Sequence, residues 1–329
     1  MYQLLFRSLL FSALLTVSLL DFNPALAGTF QDPKAQTAFK NKQYERVVEI
    51  LMPRLADLNR DSILILGKSQ SELKNPTAAI KVFSAGLSMQ PKDVELKSLI
   101  GGELFKSGKD RDAMVTLKEV IEINPKYLQA YRLLIQIYEK KKNKYEQRLL
   151  YQDMVDRFGE KPEFITKLCG LTSLEGFYDL AMKYCNSGIQ ANPMEPDNYV
   201  YLGLTYRDTG KLELAEKNLK HAADSFANSE LSQVTYGQFL EERKDFILAF
   251  NYYKRATQKH ESSIAGWLGV GNTGLEIQKL EESLIAFTIA CKLDKSALPA
   301  IRRATNTLRL AKNEAWKKRF EAATESCGH

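Results

Sequence analysis

Residues 196–229 read PDNYVYLGLTYRDTGKLELAEKNLKHAADSFANS. Helical spacing puts Tyr199, Leu202, Gly203 and Tyr206 on one face of a first helix, and Ala215, Leu219 and Ala222 on one face of a second, with Gly210 breaking the pair. Steps of 34 residues from Gly203 land on Gly67, Gly101, Ile135, Cys169, Gly203, Gly237, Gly271 and Thr305. Five of those eight are glycine in a chain with only 18 glycines among 329 residues, which fixes the register without gaps. A second column is mostly small: Ala79, Ala113, Gln147, Ala181, Ala215, Ala249 and Ser283. A third carries bulk: Phe83, Leu117, Tyr151, Cys185, Leu219, Tyr253 and Phe287. Small residues facing bulky ones let two helix backbones approach closely. Pro91, Pro125 and Pro193 mark where three of the second helices stop.

The order aromatic, Leu-Gly, Tyr, then Ala, large apolar, Ala, at a period of 34 residues, resembles the tetratricopeptide repeat, or TPR. The resemblance implies an all-α, right-handed superhelical solenoid of about eight helix-turn-helix repeats with a C-terminal capping helix or helix pair. A shortened first repeat, 28–59, has Phe39, Tyr44, Val47, Val48 and Leu51 on its apolar face. Seven more follow at 60–93, 94–127, 128–161, 162–195, 196–229, 230–263 and 264–297, and a cap at 298–325, so residues 28–329 read as one domain. The repeat at 128–161 fits worst, with Ile135 and Gln147 in the small columns and Lys140-Lys141-Lys142-Asn143-Lys144 at its turn, and distorted packing is expected there. The cap reads as one helix with Ala300, Ala304, Leu308 and Ala311 on its apolar face and a second with Trp316, Phe320 and Ala323, its outer side charged as a solenoid end requires.

In proteins of this kind the first helix of each repeat lines a concave face that grips an extended or helical segment of a protein partner. The resemblance places Leu64, Lys68, Ser98, Phe105, Arg132, Gln136, Thr166, Val200, Leu204, Arg207, Val234, Gln238, Glu241, Leu268 and Asn272 on that face. The lysine-asparagine clamp with which some relatives hold a terminal carboxylate is incomplete here, with Arg132 and Gln136 in one place and Leu268 and Asn272 in the other, so that ligand is not carried over. The four cysteines allow three pairings. Cys169 and Cys185 fall in the glycine and bulky columns of one repeat, where a disulfide across the helix pair and two buried free thiols both fit. Cys291 with Cys327 requires the C-terminal tail to fold back.

Composition agrees with a folded soluble chain, 44% hydrophobic and 26% charged. A net charge of +6, with both signs interleaved, gives no patch for nucleic acid or anionic lipid, and the lysine run reads as a solvated turn. The first 27 residues stand apart: Arg7, an apolar run from Leu9 to Leu20, and Pro24-Ala25-Leu26-Ala27 make an export signal with cleavage expected after Ala27. The apolar run is shorter than the roughly 20 residues that span a bilayer, although an uncleaved anchor is the other reading. An exported, periplasmic or secreted protein is expected, with no transmembrane segment after cleavage.

Catalysis finds no support. Gly269-Val-Gly271-Asn-Thr-Gly274 spells a dinucleotide-binding string, but Gly271 belongs to the repeat column, inside a helix rather than at a strand-to-helix turn. His221, His260 and His329 share no helical face with a second ligand, so no metal, cofactor or catalytic residue is expected. The expected role is a non-catalytic interaction scaffold or adaptor of a bacterial cell envelope; a lipid- or glycan-binding module and an accessory subunit of an envelope enzyme are the alternatives.

Overall fold

The computed structural model describes residues 29–328; the expected export signal, residues 1–27, and His329 lie outside them. Within that range the regular elements are α1 (Pro33–Lys40), α2 (Tyr44–Leu51), α3 (Arg60–Glu72), α4 (Pro76–Met89), α5 (Val94–Lys106), α6 (Asp110–Ile123), α7 (Leu128–Lys140), α8 (Lys144–Phe158), α9 (Pro162–Leu174), α10 (Tyr178–Ala191), α11 (Pro196–Asp208), α12 (Leu212–Ser225), α13 (Glu230–Glu242), α14 (Phe246–Lys259), α15 (Ile264–Glu276), α16 (Leu280–Leu293), α17 (Leu298–Leu310) and α18 (Glu314–Gly328). The protein is all-α, its helices packed in successive pairs.

From α3 and α4 onward, the turn inside each pair repeats with the same period as the sequence. Residues 74, 108, 142, 176, 210, 244, 278 and 312 are 34 apart and all take a positive φ, from 53° to 78°. The N–H of the following residue then donates to a carbonyl five residues back, as from Lys211 to Tyr206 at 2.8 Å and from Asp245 to Leu240 at 2.9 Å. This arrangement satisfies the last free carbonyls of the first helix and turns the chain. Asn75, Asn143 and Asp245 then accept a backbone N–H as side-chain caps of the second helix. The repeat at 128–161 keeps this turn despite its sequence: Lys142 has a φ of 53°, Asn143 caps, and α8 is merely longer, ending at Phe158 with Gly159 as its C-cap.

Two compact units are present, one running to Ile137 and one beginning at Tyr138, with the boundary inside α7. In the first, the N-terminal pair is short: Val47 and Leu51 are fully buried with Ile63, Leu66, Phe83 and Leu96, while Phe39, Tyr44 and Val48 are only partly covered. Phe30 pairs with Leu58 in a single parallel bridge that ties down the first described residues.

The second unit shows what the glycine column is for. A Cβ on Gly203 would stand 2.6 Å from Leu219 Cγ, and one on Gly271 would stand 2.7 Å from a ring carbon of Phe287. The dinucleotide-like glycines are therefore packing residues inside α15. One repeat differs: Cys169 and Cys185 stand at disulfide distance across α9 and α10, their Cα atoms 4.7 Å apart. Cys291 and Cys327 do the same between α16 and α18, Cα atoms 5.9 Å apart. The cap buries Ala300, Ile301, Leu308 and Phe320. Ala311, expected on that face, closes α17 as its C-cap and is exposed instead.

Candidate partner-binding surface

Successive first helices of the second unit, α9, α11, α13 and α15, pack on one another, so their free sides form one continuous face. Of the residues expected there, Gln238 is exposed and Thr166, Leu204, Leu268 and Asn272 are half-buried, Leu204 and Leu268 packing partly against the core. Val200 and Val234 are not on the face. They are buried in the core with Leu219, Phe239 and Phe250, and Leu64 and Ser98 are equally buried in the first unit. All four occupy the fifth place of their repeats, which faces the neighbouring first helix in a tight stack. The same place is half-buried at Thr166 and Leu268 and exposed at Arg132.

Apart from Arg132, the charged members of the set are engaged within the fold. Arg207 pairs with Asp208 at 2.8 Å and with Glu242 at 3.4 Å, and Glu241 accepts a hydrogen bond from the Tyr253 hydroxyl at 2.7 Å. In the first unit Lys68 meets Glu95 at 3.3 Å, inside a cluster in which Arg60 holds both Asp93 and Glu95. Burial alone would raise the Asp93 carboxyl, but the Arg60 guanidinium and the N–H groups of Leu96 and Glu95 hold it below its ordinary value of 3.8. Phe105 is half-buried and Gln136 is exposed.

The same face of the second unit contains a pocket of about 370 Å³, of whose lining the residue list above holds only Thr166. Thr166, Gly170 and Leu174 of α9 meet Asp197 and Tyr201 of α11, and Lys167, Lys142 and Lys144 stand at its edge. The Tyr201 ring lies on Gly170, where a Cβ would come within 2.8 Å of it. Gly170, like Gly102, occupies the column that carries Lys68, Gln136, Leu204, Gln238 and Asn272 in other repeats, and its missing side chain admits the Tyr201 ring. That absence was the available signal. Burial raises the Asp197 carboxyl above 3.8, with Lys167 opposing, and burial with the Asp197 charge raises the Tyr201 hydroxyl. Two members of the lysine run thus border a pocket as well as forming a turn.

Histidines have structural duties: His221 packs against Tyr199 with ring centroids 4.6 Å apart, and His260 Nε2 lies 2.7 Å from the Asn228 carbonyl. Among the described residues no group of three or more His, Cys, Asp or Glu is placed to hold a metal ion, and no helix is long and apolar enough to cross a membrane.

No protein-family model matches the chain, and no curated protein is similar to it. Solved structures are. A tetratricopeptide repeat protein from Parabacteroides merdae ATCC 43184 superposes with a TM-score of 0.58 at 11% identity, over 80% of this chain and 99% of its own. The APC/C hetero-tetramer Cut9-Hcn1 gives 0.52 at 13% identity, over 88% of this chain and 56% of its own. At such identities the likeness shows the fold alone, which is that of stacked TPR helix pairs.

Proposed function

We propose that this chain is a non-catalytic scaffold or adaptor of a bacterial cell envelope that holds a segment of another protein on its first-helix face. The observation that carries the reading is the face of the second unit. Gln238 is exposed and Leu204, Leu268 and Asn272 are partly exposed along it beside the pocket at Gly170, while Arg207 and Glu241 are already engaged within the fold. Open apolar and uncharged polar side chains on a rigid helical stack suit an extended or helical peptide, because little conformational freedom is lost on the scaffold's side.

The envelope assignment rests on residues 1–27, whose apolar run and Pro24-Ala25-Leu26-Ala27 end have the form of an export signal. Crosslinking in intact cells, co-purification and mass spectrometry test both parts. Partner recovery should fall when Leu204, Gln238 and Asn272 are changed together to alanine, and the protein should fractionate outside the cytoplasm with an N-terminus near Gly28. Full recovery with the triple variant overturns the surface, and retention in the cytoplasm overturns the compartment.

A further inference from the structure

On the second-helix side of the second unit lies an apolar groove that the repeat does not require. It runs between α14 and α16, with Trp267 and Val270 of α15 as its floor, and encloses about 880 Å³. Its wall is a ridge of Ile285, Ile289 and Leu293 on α16, of which Ile285 is 49% and Leu293 43% exposed. One period earlier, on α14, the same positions hold Asn251, Arg255 and Lys259; on α12 they hold Lys217, His221 and Ser225. Those helices stack with a polar ridge, so stacking does not account for an apolar one. The indole N–H of Trp267 donates to the Glu261 carbonyl at 2.8 Å, which fixes the ring at the groove floor.

We propose that this groove docks an amphipathic helix of a partner protein, with a basic residue beside its apolar stripe. A ridge spaced four residues apart is the one that helices interdigitate. From Ile285 to Leu293 it extends about 12 Å at a rise of 1.5 Å per residue, two turns of an incoming helix. Charge selects the flank. Of the three charged residues lining the groove, Lys254 and Glu282 pair at 2.9 Å, whereas Glu261 is exposed and makes no ion pair among the described residues. Glu282 is also met by Lys279 at 3.2 Å, so Glu261 is the lining charge left without an ion partner among the described residues, and a lysine or arginine on the docked helix would meet it.

The test places a photoreactive amino acid at Ile289 of the full chain in the cells it comes from, with the register-matched, exposed Asn251 as control. The expected result is a light-dependent adduct from position 289 only, whose partner peptide is an amphipathic helical segment with Lys or Arg next to its stripe. A synthetic copy of that peptide should shift Trp267 emission in a Trp316→Phe background, and Glu261→Lys should weaken it about tenfold. The paired change Ile285→Asn with Leu293→Lys, which installs residues that α14 already carries, should remove the adduct and leave the thermal midpoint in place. An adduct with a second copy of this chain, with lipid, or with an acidic or non-helical peptide overturns the proposal. So does the absence of any adduct, or equal peptide binding by the Glu261→Lys chain.

Discussion

Two adjacent repeats solve one packing problem with different chemistry. In the repeat at 196–229 a bare backbone at Gly203 admits Leu219, whereas in the repeat at 162–195 the same two positions hold Cys169 and Cys185 at disulfide distance. In both, residues 16 apart must nearly touch across a helix pair, and in both they are fully or almost fully buried. The column therefore demands close approach and not glycine as such. A thiol pair meets the demand covalently, and a glycine meets it by leaving room.

The strongest way to break that equivalence is Leu219→Ala, which removes the side chain that fills the space at Gly203. Because neither side can fill the space, the loss should be about 2–5 kcal/mol, read from chemical denaturation of the full chain. A loss well under that range would mean the helices collapse together and the column does not set their spacing. Removing the other solution, by Cys169→Ala with Cys185→Ala, should lower stability by about 3 kcal/mol in the chain-entropy account. Mass spectrometry without reductant should first show no free thiol in the Cys169–Cys185 pair; two free thiols would defeat the comparison. A sharper version is the exchange Cys169→Gly with Cys185→Leu, which should give a folded repeat and, with Cys291 and Cys327 also changed to serine, a chain whose unfolding no longer responds to reductant. The reverse intrusion, Gly203→Ala, should cost about 1–3 kcal/mol, since Leu219 Cγ and the Ala215 carbonyl both crowd the new methyl.

How far the sequence spoke for itself divides along the same line. Helix pairing, repeat phase and the glycine and bulky columns were legible because each is a repeated steric demand, and repetition amplifies a weak local signal. The face was less legible. Val200 and Val234 occupy places that are open at Arg132, and only three-dimensional stacking decides which are covered. The pocket at Gly170 depends on a side chain that is missing, and the groove at Ile285 on a ridge that breaks the pattern. Both are departures from the repeat, and phase-based reading smooths departures away.

The turns offer a smaller test of whether position or residue rules. Gly210 and Lys142 share the left-handed conformation, φ 76° and 53°. A side chain there costs about 1 kcal/mol, so Gly210→Ala should destabilise by that amount and Lys142→Gly should gain somewhat less, because glycine also loosens the unfolded chain. Equal and null effects at both positions would show that the cap hydrogen bonds, which do not involve the side chain, set the turn alone.

The finest comparison concerns two carboxylates at the same place in their repeats, Glu95 and Asp197. Burial raises Asp197 above 3.8, with Lys167 only partly opposing it. Burial acts on Glu95 as well, but hydrogen bonds and charge from Arg60 and Lys68 outweigh it and hold Glu95 below 4.5. The signs then differ. A depressed carboxylate contributes stability that is present above its ordinary value and lost as pH falls through its folded value; a raised one favours the folded state when protonated, and that advantage is lost as pH rises past 3.8. Asp197→Asn should therefore raise the thermal midpoint near neutral pH and leave it unchanged in acid below 3.8, while Glu95→Gln should lower it near neutral pH by an amount kept under about 1 kcal/mol by solvent screening. Midpoints that shift in the same direction for both variants would show that repeat position, and not the local charge cluster, governs these groups.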